Sequence, residues 1–460
     1  RSASAVFAQL PDNACKAAGK HQTQRRHTAD NPFLSFANQS VSSFLRTVDQ
    51  IDRHFSTAHL EANVPAQIYD AFIAARNRGD AQTLEQLEAT HGTETLLRQG
   101  VDYRSTTFFA RSLREGLRRL YGPQASDEEL AATARDWSTR GPSYAYDQAL
   151  RVADTPIVLT DVGYLDREVW DAQRYRQVMR IDPYVYPFHD GQSDLRGTEF
   201  QRFHAGFAAV LLKELQRHGM EQLPPGFDDY LQFVDASVQR RVSEGVVSLK
   251  IASAYVRPID FRPASYAEAA AAYAALAAGQ ADRDRRPLEN FIVLRLAQFA
   301  ADRGLPVQIH VGMGHPEPGM RISNGEPFLL ETLLNIRSLN RLKVTLLHGG
   351  YPYSSQMAAL AQTYGNVFLD FSWMPYLHHF YLRQKLSEWL EILPANKLLF
   401  GSDAGAPEFH VASAHYARQA LNHVLNDGLQ RQVWTARQVD WLARRVLYEN
   451  AAQLHGFEGL

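Results

Sequence analysis

The apolar and polar positions of this chain fall into two regimes. From Val41 to about Arg140 the apolar residues recur at three- and four-residue steps, as in Phe44, Val48, Ile51 and Phe55, and again in Leu113, Leu117 and Leu120. That period predicts helices. From Pro156 onward, short apolar runs alternate with helical stretches. The runs cover Pro156–Gly163, Val178–Pro183, Gly245–Ala252, Pro306–His310, a run closing at His348, Asn366–Asp370 and Leu398–Asp403. Each reads as a buried strand. Helices are expected at Thr198–His218, Asp228–Ser243, Ser265–Ala278, Pro287–Arg303, Pro327–Leu339, Ser354–Tyr364 and Leu382–Leu393. Phe7 to Leu10 supplies one more strand candidate, ahead of the helical block.

Eight strand candidates alternating with helices predict an α/β fold, a (β/α)8 TIM-type barrel with a helical insertion after strand one. The expected organisation is one domain over 1–460, with the insertion at 41–150 and strands two to eight within 151–460. A separate helical domain fits less well, because strands resume after the helices and need the first one to close the barrel. Three of the runs stop at a metal-capable side chain: His310, His348 and Asp403. Side chains at the C-terminal ends of parallel strands meet at the barrel rim, so this order predicts a site there.

Composition narrows the partners. Of the 460 residues, 45% are hydrophobic and 21% charged, enough to bury a large core. A net charge of −2 and a pI near 6.8 give no bulk attraction to nucleic acid or to an anionic membrane. Cys15 is the lone cysteine, so no intrachain disulfide forms and the redox compartment stays open. No apolar run reaches the roughly 18 residues of a membrane span. A soluble protein is expected, either cytoplasmic or exported after removal of a leader. Arg1 in place of Met, followed by Ser2-Ala3-Ser4-Ala5, is compatible with such a leader. A homo-oligomer is also compatible with the sequence.

Several stretches carry a more specific likeness. They are Val158–Gly163, Ser248–Arg257, Val307–Gly314, Leu347–Tyr353, Asn366–Ser372 and Leu399–Ala404. With them the chain resembles the amidohydrolase superfamily of metal-dependent hydrolase barrels, and within it the branch that is fused in some plants and fungi to a glutamine-synthetase-like domain. The resemblance implies a His-x-His pair ending strand one, a Lys or Glu ending strand four, His residues ending strands five and six, and an Asp ending strand eight. Lys250, His310, His348 and Asp403 match the last four positions. Strand one departs: relatives read Asp-Asn-His-Cys-His where this chain reads Asp12-Asn13-Ala14-Cys15-Lys16. On that alignment both first-strand ligands are gone.

Two chemistries follow. In the first, one divalent metal (zinc or similar) is held by His310, His348 and a carbamylated Lys250, with Asp403 as a ligand or as the base that deprotonates water. In the second, the Lys16 ammonium stands where a metal would sit, and Lys16, His348 and Asp403 do acid–base work without one. A buried Lys250 must pair or lose its charge, and a salt bridge to Asp161 or Asp182 competes with carbamylation. Arg257 and Arg180 are candidate clamps for a substrate carboxylate, or braces of the barrel mouth. Tyr351 and His315, and with them His378, His379, His410 and Glu408, lie in loops after strands and are candidates to line the pocket. The resemblance implies a hydrolase acting on an amide-type or ester-type bond of a small carboxylated molecule, with a glutamyl or amino-acid-derived substrate suggested by the fused branch. A lyase, decarboxylase or isomerase, and a non-catalytic ligand-binding barrel, stay open beside it.

Overall fold

A computed structural model describes residues 59–457, apart from residues 124, 142, 162–170, 189–197, 281 and 315–319. Its framework is seven parallel strands hydrogen-bonded in sequence order: β1 Val158–Thr160, β2 Tyr175–Arg180, β3 Val246–Ile251, β4 Val307–His310, β5 Val344–Leu347, β6 Val367–Asp370 and β7 Leu398–Leu399. These are seven of the eight predicted runs. The Phe7–Leu10 strand lies outside the described residues, as do Ala14, Cys15 and Lys16.

The sheet is curled. Laid flat, six strand spacings of about 4.8 Å would hold β1 and β7 about 29 Å apart. Yet Lys250 of β3 has its Nζ 2.7 Å from Asp161, just past β1, and 3.9 Å from Asp403, just past β7. Only a wall bent toward closure brings those edges to one lysine, and the fold is an α/β barrel of the TIM type.

The strands are buried on both faces, with Ser248, Lys250, His310, Thr345 and Asp370 on the inner side and apolar residues on the side that meets the helices. Leu249, Ile251, Val307, Ile309, Val344, Leu346, Val367 and Leu369 are all buried, packed with helix residues such as Val234, Ile292, Leu296 and Trp389 in one continuous core. Strands buried on both faces read as near-continuous apolar runs, which is why they were visible in sequence. The intervening helices include Thr198–Arg217, Phe227–Ser243, Tyr266–Ala277, Arg286–Arg303, Ser354–Thr363, His379–Ile392 and Pro407–Gln430. Ser265 caps Tyr266–Ala277 in a reciprocal box with Glu268, satisfying two otherwise free backbone donors.

One helix expectation is corrected. Pro327–Leu339 is not a single helix but two 3-10 turns, Pro327–Leu330 and Arg337–Leu339, around a short α-helical turn Glu331–Leu334. Asn335 ends that turn: its amide donates to the Glu331 carbonyl and to the Tyr364 hydroxyl. A side chain that bonds nearby backbone competes with helix continuation.

Among the described residues, the helices that precede β1 include those from Ala66–Arg78 to Tyr144–Val152. Helix Phe108–Tyr121 lies directly on the barrel, with Phe109, Leu113 and Leu117 packed against Tyr376 and Phe409. Gly116 permits the close approach, since a Cβ there would sit 2.1 Å from the Glu408 carbonyl oxygen. The Tyr121 hydroxyl then donates to Glu408 Oε1 at 2.6 Å. Among the described residues no helix is long and apolar enough to cross a membrane.

Candidate active site at the barrel mouth

Every strand delivers a polar side chain at or just past its C-terminal end: Asp161, Arg180, Lys250, His310, His348, Asp370 and Asp403 in order from β1 to β7. Parallel strands ending at one rim make this convergence unavoidable. The geometry divides into a charged half and an imidazole half.

In the charged half, Asp161 Oδ2 accepts from Arg180 Nη2 at 2.6 Å and from Lys250 Nζ at 2.7 Å. Burial opposes the Asp161 carboxylate, but the Arg180 and Lys250 cations overcome it and hold its pKa below the usual range. Lys250 is penalised by burial too, and Asp161 with Asp403 raises its pKa nonetheless. The salt bridge to Asp161, one of the two sequence readings of Lys250, is therefore formed. The second strand-end acid, Asp182, instead accepts from the backbone N–H of Ala252 and from Ser253 Oγ.

In the imidazole half, the His310 and His348 rings stand 4.6 Å apart at 61°. His348 Nδ1 lies 2.9 Å from Ser372 Oγ and 3.6 Å from Asp403 Oδ2. Its other face is covered by Trp373, stacked at 4.2 Å and 16°. Tyr255 closes on His310 at 4.3 Å. Burial, aided by Lys250 and Arg180, pushes His310 down to about 3. Burial, with His310 next to it, also takes His348 well below its ordinary value. Both rings are thus neutral near pH 7. Burial raises Asp403 above its ordinary value against the pull of Lys250. Asp370 is pushed up to about 6 by burial, and its Oδ1 accepts from the Ser372 backbone N–H at 2.9 Å.

The remaining candidates divide by position. Arg180 is inside the cluster. Arg257 spends its donors on Glu289 at 2.7 Å, Asn290 at 2.9 Å and the Pro258 carbonyl at 3.1 Å, the contacts of a brace. Tyr351 stacks on His378 at 4.3 Å. His410 lies between Ser402 Oγ and Thr155 Oγ1, each 3.0 Å away. His379 stacks on Phe108 at 4.9 Å. His315 and Lys16 lie outside the described residues. Sequence reasoning missed Ser372 and Trp373. The signal available was their place just after Asp370, with Ser372 closing a stretch already singled out and Trp373 following it.

Two imidazoles and a carboxylate are suitable ligands for a metal, and His310 Nε2 is buried without a hydrogen-bond partner. Against this, the described residues contain no group of three His, Cys, Asp or Glu side chains placed to hold an ion. Lys250 and Arg180 already bring two positive charges to the same centre. The described residues do not form a metal site by themselves.

Comparison with known proteins agrees with this architecture. Residues 249–457 match the family model described as amidohydrolase. A 177-residue stretch is 30% identical to the fluG protein of Emericella nidulans, covering 37% of this chain and 20% of that protein, so the chain matches about a fifth of its relative's length. Among solved structures, a protein assigned as a metal-dependent hydrolase from Lactobacillus casei superposes with a TM-score of 0.59 at 20% identity, over 78% of this chain and 86% of that one. Uronate isomerase from Thermotoga maritima superposes with a TM-score of 0.60 at 13% identity, over 92% and 98%. Uronate isomerase from Bacillus halodurans gives 0.56 at 14%, over 91% and 88%.

Proposed function

Residues 249–457 match the amidohydrolase family model, and from that premise we propose that the chain is an amidohydrolase-type hydrolase of an amide-type or ester-type bond in a small carboxylated molecule, with at most one metal at the barrel mouth. A glutamyl or amino-acid-derived substrate is the class proposed. The observation that carries the reading is the approach of Asp403 to both halves of the rim: its Oδ2 is 3.6 Å from His348 Nδ1 and its Oδ1 is 3.9 Å from Lys250 Nζ.

That position suits a general base. A carboxylate whose pKa is raised by burial takes a proton from water more readily than an ordinary one. The resulting hydroxide adds to the substrate carbonyl carbon, and the carbonyl oxygen gathers negative charge. Lys250 and Arg180 supply fixed positive charge at the same rim, in a site where such charge acts strongly. The proton on Asp403 then passes to the leaving nitrogen or oxygen as its bond to carbon breaks. His348, neutral and held by Ser372 and Trp373, orients Asp403 or donates to the substrate.

The paired cations Lys250 and Arg180 favour one second reading, a metal-independent lyase or isomerase working through Asp403 and the histidines. One experiment separates the readings. The full chain, purified without chelator, is analysed for metal and assayed on a panel of N-acyl amino acids, γ-glutamyl amides and hydroxy acids, beside Asp403→Asn. Hydrolytic turnover that falls at least a hundredfold in the folded variant is expected. Elimination or isomerisation products in place of hydrolysis would select the second reading. Turnover unchanged by Asp403→Asn would remove Asp403 from the chemistry.

A further inference from the structure

Away from the barrel mouth, an open cleft of about 530 Å³ lies where three helices meet. Phe108, Arg111 and Glu115 line it from helix Phe108–Tyr121. His379, Phe380 and Arg383 come from helix His379–Ile392, and His415, Tyr416, Gln419 and His423 from helix Pro407–Gln430. The spacings of three, four and seven residues place each set on one helix face. None of the mouth residues contributes to it.

We infer that this cleft is a binding site for a small molecule that carries an oxyanion on a planar ring. The charge argument comes first. Glu115, the one acid of the lining, is already engaged by Arg119 at 2.6 Å. Among the described residues no carboxylate pairs with Arg111 or Arg383; Arg111 bonds the Tyr416 hydroxyl and Arg383 contacts His423 Nε2. Two guanidiniums without counter-ions beside three imidazoles form an anion-binding surface, and guanidinium forks match oxyanions bidentately.

The second observation points to an absent ligand atom. His379 is only 4% exposed, lines the cleft, and its Nδ1 is buried with no hydrogen-bond partner. Buried polar atoms are nearly always paired, so an unpaired one beside a cleft marks a place for a ligand atom. Arg111 and Arg383 in the same lining fit an oxygen-bearing anion rather than a cation. The ring is argued from the walls. Phe108 lies parallel to His379 at 4.9 Å and 7°, Tyr416 meets Phe108 edge-on at 4.8 Å, and Phe380 is 66% exposed at the rim. The exposed Phe380 ring beside the guanidiniums offers a face on which a planar ring can stack. The volume falls in the range of small-molecule sites.

The test is calorimetric titration of the full chain with phenyl phosphate, benzoate and inorganic phosphate. Saturable 1:1 binding of phenyl phosphate or benzoate is expected, at least tenfold tighter than inorganic phosphate, and the stronger of the two identifies the oxyanion. The double variant Arg111→Ala/Arg383→Ala should lose at least tenfold in affinity while its circular dichroism is unchanged. His379→Phe, which keeps the stack and removes the nitrogens, should also weaken binding. Asp403→Asn should bind as the parent does, separating this cleft from the mouth. No binding of either ring compound, binding equal to that of inorganic phosphate, affinity unchanged in the double variant, or affinity lost in Asp403→Asn would each overturn the assignment.

Discussion

Arg180 and Lys250 are register partners on adjacent parallel strands, two cations side by side at the barrel mouth. Like charges directly across a strand pair destabilise a sheet. The pair is tolerated because a single oxygen, Asp161 Oδ2, accepts from both. Replacing Asp161 by Asn removes that charge and leaves two buried cations facing each other. The expected cost is about 3–5 kcal/mol of folding stability, the range for breaking a buried pair. Asp161→Asn/Lys250→Met should cost less than the two single changes added together, because the second change removes a stranded cation. Urea unfolding of the four proteins measures both; simple additivity would mean that Asp161 does not couple the two strands.

The barrel itself was readable because its strands are buried on both faces and so appear as unbroken apolar runs ending in charge. His310, His348 and Asp403 were readable for the same reason: the residue where such a run stops must lie at the rim. Lys250 could be placed but not paired, since its choice of Asp161 over Asp182 depends on how far the sheet curls. Trp373 and Ser372 were not legible as site residues. An aromatic after a strand ordinarily reads as core, and the backbone of Trp373 at a φ of 64° aims the indole at His348 in a way no periodicity encodes. The break at Asn335 was hidden because Leu330, Leu333 and Leu334 keep helical spacing across a segment that winds as 3-10 turns.

Acid should weaken the fold. Burial holds His310 near 3, and His410 and His378 near 4, all below the ordinary histidine value of about 6.5. Between those values and about 6.5 the unfolded chain binds more protons than the folded one, so stability is full above about pH 6.5 and lost as pH falls toward 4. Asp370, pushed up to about 6, acts in the opposite sense: its contribution is present at low pH and lost as pH rises through about 6. Burial also lowers His348, His379, His415 and His455 and raises Asp182, Glu289, Asp403 and Glu408, so the histidines outnumber the carboxyls. The unfolding temperature at constant ionic strength should therefore be clearly lower at pH 5 than at pH 7.5, and a flat or inverted profile would contradict the buried neutral state of these rings.

Trp373 supports two site residues at once. Its ring covers His348, and its indole N–H donates to the Asp403 carbonyl oxygen at 2.6 Å. Trp373→Phe keeps a ring over the imidazole and deletes the donor. A net loss of about 1 kcal/mol in stability is expected from the missing hydrogen bond. Activity should fall further than that figure implies, because the backbone of Asp403, at a φ of 46°, loses one of the two side-chain donors on its carbonyl and keeps only the Tyr376 hydroxyl at 3.1 Å. A kcat reduced about tenfold with KM little changed is the signature of a displaced catalytic group rather than a weakened pocket.

Gly314 offers the sharpest test of whether the His310 ring position matters. Its backbone sits at a φ of 58°, and a Cβ there would lie 2.3 Å from His310 Cε1 and 2.4 Å from Trp373 Cζ3. Gly314→Ala must therefore push the imidazole, the indole or both, in addition to straining the backbone. Gly279 isolates the strain: its φ is 82°, but nothing lies within 4 Å of the added carbon. Gly279→Ala should cost about 1–2 kcal/mol, the penalty of a left-handed backbone for an L-residue, and leave turnover intact. Gly314→Ala should cost that plus about 1–3 kcal/mol for overpacking. Its turnover should drop by about a hundredfold, since a displacement on the order of 1 Å at a reacting group has that effect. Equal activity in the two variants would mean that the His310 ring can move without consequence, and the imidazole half of the rim would then be structural.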